Sequence, residues 1–286
     1  MKRLIINADD FGLTQGINRA VLALNAKRVL TSSTLMASAS YAEEAAQAAL
    51  LQPALGIGCH VVLVDGVPVL PAAELPTLVD QRSGRFRGSL GTFVRACLLG
   101  HIDEREIQAE AEAQIARIQS FGLHPTHLDT HKHTHMFAPV LRAVTRAAQS
   151  RGVRCVRNPF EPRWSIAATV GAPLLRRIQV NLLRQLEPAF LRVVRDAGLF
   201  TTDGAIGVLA TGTLDAATLK ALLSAMPPGT WEFVTHPGYN DIPLAKAGTR
   251  LLAARETELE MLEAAVFEQD VQLIHFGELL SSELQQ

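Results

Sequence analysis

A chain of 286 residues, 48% of them hydrophobic, can bury one large core, and a single domain over residues 1–286 is expected. The formal net charge of −1 gives no electrostatic footprint for nucleic acid, and no run of 18 apolar residues exists to span a membrane. Cys59, Cys97 and Cys155 are odd in number and never spaced as CxxC, and the opening MKRLIINADDFG meets two acids after a short apolar run, unlike a secretory segment; a reducing cytoplasm is the expected compartment.

In chain order, residues 4–7 read as a short buried strand ending in Asp9, Asp10, Phe11 and Gly12. A helix follows, capped by Thr14, with Ile17, Val21 and Leu24 on one face. Residues 29–36 predict a second strand, and alanine-rich 41–51 its helix, which Pro53 ends. Residues 57–64 form a third buried strand with one ionisable residue, His60, in its middle. Taken alone, such a histidine is as readily a satisfied core residue as a ligand. Between Asp65 and His101 the periodicity is lost among Pro68, Pro71, Pro76 and several glycines, the pattern of a lid or binding loop. Asp103 and Glu106 predict a capping box, opening a helix with Ile107, Ala111, Ile115 and Ile118 on its apolar face.

The next strand, ending near Leu128, delivers HLDTHKHTH at residues 127–135, four of the nine histidines of the chain. If extended, this run would hold His127 and His131 about 13 Å apart. If helical, it would bring His127/His131 and His131/His135 within ligand spacing. Either way a bound ion would need further ligands from distant strand ends, and neutral imidazoles have no packing reason to cluster so densely. A helix over 138–149 and a short strand over 154–157 follow. Residues 160–200 are a less regular, helical insertion. Within it, 174–194 is amphipathic, with Arg176, Arg177, Arg184 and Arg192 among leucines. The bland reading is a core-facing helix with a solvated arginine edge; the sharper one is docking to a membrane surface or a lipid-like substrate. Strands over 206–209, 231–235 and 271–274 and helices over 215–223 and 246–268 complete the chain.

Alternating strands and helices predict parallel strands with crossover helices, and seven or eight such units approach the number that closes a barrel. Working residues then sit at strand ends. Asp9, Asp10, His60, His131, Arg157 and His236 all lie at such ends and would face one mouth. One aspartate with two histidines is a ligand set suited to zinc that leaves room for water and substrate. The neighbouring carboxylate is then free to take a proton from activated water, and His236, in HPG, can protonate a leaving amine.

NADDFG at residues 7–12, GxH at 58–60, THLDTHKHTH at 126–135 and HPG at 236–238, in this order across nearly the whole chain, together resemble the YdjC-like (ChbG-type) carbohydrate deacetylases. The resemblance implies an α/β fold, a distorted, incomplete (β/α) TIM-like barrel of about seven parallel strands. It also implies a divalent metal ion, with zinc favoured and magnesium the other candidate, and hydrolysis of an N-acetyl group from an amino sugar. Carried onto this sequence, it implies Asp10, His60 and His131 as metal ligands and Asp9 as base. His236 would then be the acid, and Arg157 would orient Asp9 or the substrate. His127, Asp129, His133 and His135 would stand behind the ligands or face the substrate.

LVDGVPVLP at residues 63–71 and RNPFEP at 157–162 resemble, more narrowly, the hopanoid-associated deacetylase subgroup, HpnK. That resemblance implies an N-acetylglucosaminyl hopanoid as substrate and peripheral contact with the inner face of a membrane. A deacetylase of soluble chito-oligosaccharides and a non-catalytic sugar- or lipid-binding relative are the alternatives. A phosphate-ester hydrolase is disfavoured, since Arg157 is the one candidate phosphate clamp. A homodimer stays open.

Overall fold

Short apolar runs separated by amphipathic helices bury best as parallel strands covered on both faces, and the chain folds that way. The computed structural model describes residues 1–279. Its strands are β1 (Lys2–Phe11), β2 (Ser32–Leu35), β3 (Gly56–Val61), β4 (Val79–Asp80), β5 (Arg85–Phe86), β6 (Leu128–Thr130), β7 (Gly204–Ile206), β8 (Gly229–Thr235) and β9 (Val271–Leu273). Seven of them form one parallel sheet, six in the order β6-β3-β2-β1-β8-β7 and β9 beside β1. β8 takes one edge of β1 along Lys2 to Ala8, so β9, paired with Lys2 to Leu4, shares the other edge with β2, paired from Asn7 onward. Isolated parallel bridges, Leu128 with Val156 and Cys155 with Phe200, continue the curl beyond β6. The result is a curled, open half-barrel, the incomplete barrel expected. Leu4, Ile5, Ile6 and Ala8 are all fully buried, on both faces of β1.

Several elements differ from expectation, each for a local reason. β1 extends through both aspartates to Phe11, whereas β2 begins only at Ser32, after Asn25 has tied the preceding turn through its side-chain amide to the Leu30 carbonyl. No capping box forms at Glu104–Ser120. Asp103 caps the Arg105 amide, but Glu106 turns away to accept from the amides of Thr77 and Leu78, and Glu110 accepts from those of Val69 and Leu70. These two carboxylates clamp the 65–101 segment onto the helix. The segment itself contains the antiparallel β4-β5 hairpin and helix Leu90–Leu98, with Leu75, Leu78, Phe86 and Phe93 buried. The single helix expected over 246–268 is two, Ile242–Lys246 and Ala253–Glu263. The 174–194 stretch is also broken. Helix Leu174–Leu183 buries no residue, and Glu187–Asp196 buries Phe190 and Val194, so a continuous core-facing helix is ruled out. Among the described residues, no helix is long and apolar enough to cross a membrane.

Candidate metal and catalytic centre

Consecutive residues of a regular strand point to opposite faces, so Asp9 and Asp10 would ordinarily diverge. β1 avoids this with a bulge. Its register with β2 passes from Ala8–Ser33 to Phe11–Leu35, one residue more on β1 than on β2, and Asp10 adopts a left-handed φ of 66°. Both carboxylates therefore enter the same mouth. A left-handed non-glycine residue costs of order 1 kcal/mol and persists where surrounding contacts over-determine it. Here the Arg255 guanidinium donates to Asp10 Oδ2 and leaves Oδ1 facing the histidines.

Three donor atoms converge on that oxygen's side. Asp10 Oδ1 lies 3.6 Å from His60 Nε2 and 3.5 Å from His131 Nδ1, and the two ring nitrogens are 3.3 Å apart. Behind them, β3 and β6 pair His60 with Asp129, so His60 Nδ1 donates to Asp129 Oδ1 at 2.8 Å and turns Nε2 toward the cluster. Burial would lower the His60 pKa, but Asp129, Asp9 and Asp10 outweigh it and lift it to about 9.

Asp9 is held on the opposite flank. Arg157, fully buried, donates to both of its oxygens at 3.0 and 2.7 Å, and Asn7 and Thr34 donate to Oδ1. Burial alone would raise the Asp9 carboxyl, yet Arg157, His60 and His236 hold it well below the usual carboxylate range. The same guanidinium contacts Asp129 and Glu232, so one cation serves three buried carboxylates. His236, just past β8, places Nε2 at 3.8 Å from Asp9 Oδ2, while its backbone amide donates to Glu258 at 2.6 Å. Burial pushes the His236 imidazole down to about 4, so it is neutral at rest.

The histidine run divides. Only His131 joins the cluster. Residues His131–Met136 form a 3-10 turn with Lys132 and His133 left-handed, which destroys helical spacing. His135 Nε2 donates to the Arg157 carbonyl at 3.2 Å and its Nδ1 accepts from Thr130 Oγ1 at 2.7 Å, fixing the turn to the arginine's backbone. His133 packs edge-on against His135, and its Nδ1 has no hydrogen-bond partner among the described residues. His127 stacks on Phe276 with ring centroids 3.8 Å apart and is not one of the clustered donors.

Beside the centre, Leu13, Met36, Val62, Val67, Tyr41 and Ile242 line part of a cavity of about 520 Å³, with Asp65, Arg85 and Lys246 at its polar positions. Its walls begin within three residues of Asp10 and His60 along the chain, at the C-terminal ends of β1, β2 and β3.

A family model described as YdjC-like protein matches residues 3–273. The chain belongs to the YdjC-like family. It is 31% identical over 262 residues to a carbohydrate deacetylase of Thermoanaerobacter pseudethanolicus, covering 92% of this chain and 91% of that protein. A carbohydrate deacetylase of Brevibacillus brevis is 30% identical, covering 97% and 99%. A chitooligosaccharide deacetylase of Serratia marcescens is 37% identical over 154 residues, 53% of this chain and 58% of that one. A crystal structure from Enterococcus faecalis V583 superposes with a TM-score of 0.76 at 24% identity, covering 97% and 98%, and shares the fold.

Three charged residues of this YdjC-like chain escaped the sequence reading. Arg255 and Glu258 lie one turn apart on Ala253–Glu263, and nothing in an ordinary helical stretch marks them as buried beneath the mouth. Glu232 did carry a signal, since it is the one acid inside the apolar strand β8. The glycine of the GxH pattern also finds its reason: a Cβ at Gly58 would lie 2.4 Å from the His127 ring. Gly58→Ala is therefore expected to lower stability by about 1–3 kcal/mol, read as a fall in the urea midpoint at unchanged slope.

Proposed function

We propose that this chain is a metal-dependent hydrolase that removes the N-acetyl group from an N-acetylated amino sugar. The observation that carries the reading is the cluster of Asp10, His60 and His131 facing the Asp9–His236 pair. The donor spacings of 3.3, 3.5 and 3.6 Å fit ligands of one tetrahedral ion. Donors ~2.0–2.1 Å from such an ion stand roughly 3.4 Å apart. Octahedral magnesium asks for roughly 2.9 Å and more oxygen donors, so zinc is the better fit. A bound ion of this kind supplies acidified water and a polarised acetamide carbonyl.

The protein's own groups do the rest. Arg157 grips both oxygens of Asp9, which stays ionised and cannot rotate away. Asp9 then accepts a proton from the attacking water and passes it to His236, whose Nε2 lies 3.8 Å from Asp9 Oδ2 and delivers it to the departing amine. Arg255 occupies Asp10 Oδ2, so that Oδ1 alone is presented with the two imidazoles. The similarity to proteins named carbohydrate and chitooligosaccharide deacetylases supports the substrate class.

The narrower substrate is an N-acetylglucosaminyl hopanoid, acted on at the cytoplasmic face of a membrane, with the 65–101 segment selecting among acceptors. The reading is tested by acetate release from N-acetylglucosaminyl lipids and from chito-oligosaccharides, using metal-stripped protein with and without added zinc. Zinc-restored release from the lipid-linked sugar alone is the expected result. Release from soluble oligosaccharides alone would keep the deacetylase and remove the lipid. No release from either, at full metal occupancy, would leave a sugar- or lipid-binding relative. His60→Ala and His131→Ala should each lose bound zinc and acetate release together, measured by metal analysis and turnover on the same samples.

A further inference from the structure

Helix Leu174–Leu183 is an amphipathic helix with its apolar side turned outward. Leu174, Leu175, Ile178 and Leu182 are 54–73% exposed, and their spacing places them on one stripe that Val170 and Leu186 extend. The arginines explain why the stripe faces solvent. Arg176 donates to the Val208 carbonyl, and Arg177 to those of Ile166, Thr169 and Ala172, so the polar side holds the helix to the body of the protein. An apolar stripe of this extent on an otherwise polar surface marks a contact surface.

Charge identifies what covers it. Residues 163–196 contain six arginines, no lysine, and only Glu187 and Asp196 as acids, in a chain whose net charge is −1. Arg163 and Arg192 are exposed and carry no ion pair among the described residues. A second copy of this chain, meeting the stripe across a twofold axis, would bring arginines against arginines. An anionic lipid surface satisfies both features, with leucines in the acyl boundary and guanidinium groups among the headgroups.

We infer that residues 170–195 dock this protein on an anionic membrane surface. Val208, to which Arg176 is tied, follows β7 directly, at the same end of the sheet as the metal and catalytic centre. Docking therefore brings the mouth alongside the headgroups. The inference deepens the lipid-linked reading of the substrate, but its readout is binding rather than turnover, so either can fail without the other.

The test is co-sedimentation of the purified full chain with vesicles of phosphatidylcholine alone or mixed with phosphatidylglycerol. Binding is expected only to the mixed vesicles, and added salt should weaken it. The triple variant Leu174→Ser, Ile178→Ser, Leu182→Ser should bind on the order of a hundredfold more weakly. Arg163→Glu with Arg192→Glu should lose roughly tenfold or more. These side chains are exposed, so circular dichroism and bound zinc should match the unaltered protein. Failure of the unaltered chain to bind mixed vesicles, or equal binding by the triple variant, would overturn the inference. So would a dimer in solution that the triple variant converts to a monomer, which would give the stripe to a second copy.

Discussion

Asp9→Asn should leave zinc binding intact and reduce acetate release by roughly 100- to 10,000-fold, the usual contribution of a positioned general base. Asparagine keeps the shape of the side chain and, in Oδ1, the acceptor for Asn7 and Thr34, while Arg157 retains Asp129 and Glu232 as counter-charges. The fold should therefore survive. Asp10, His60 and His131 are untouched, so metal content measured on the purified variant should remain stoichiometric. A variant with normal turnover would take the base role away from Asp9. His236, 3.8 Å from its Oδ2, would be the group to examine next.

The second large effect concerns stability. Arg157→Met removes the guanidinium shared by Asp9, Asp129 and Glu232, all buried. Breaking a buried pair from one side typically costs about 3–5 kcal/mol. A loss of that size should appear in urea unfolding, together with loss of acetate release. Even with Arg157 present, Glu232 is under-compensated. Burial, with Asp129 and Asp9 nearby, lifts Glu232 from 4.5 to about 7 in spite of the guanidinium. A carboxyl whose folded pKa is raised contributes stability that is full below its unfolded pKa and is lost as pH climbs through the folded one. Unfolding measured between about pH 4.5 and 7 should show that decline, and Glu232→Gln should flatten it.

Much of the candidate centre is legible in the sequence. Paired aspartates at the end of an apolar strand, a histidine inside another and HPG after a third are local irregularities in otherwise apolar runs, and the strand-end rule brings them to one mouth. What makes the pairing of Asp9 and Asp10 work was not readable, because the bulge and left-handed Asp10 depend on contact with β2 and on Arg255, far away in sequence. The histidine run misleads for a similar reason. Its spacing allows helical pairing, but Thr130 and the Arg157 carbonyl capture His135 and force a turn in which only His131 reaches the donors. Residues 174–194 show the same limit on a surface. Their amphipathic pattern gives a stripe, and pattern alone does not say whether the stripe faces inward or outward.

The placement of β1 has a consequence for how the protein is made. The central strand β1 leaves the ribosome long before its partners β8 and β9, which lie far later in the sequence. Chains whose contacts are so distant in sequence fold slowly, and their unpaired edges stay exposed meanwhile. Until Gly229–Thr235 and Ala253–Glu263 emerge, Asp9 lacks His236 and Asp10 lacks Arg255. A nascent chain paused before that point would hold all three metal-ligand candidates without the His236 and Arg255 that face them, with an apolar strand edge open to chaperones.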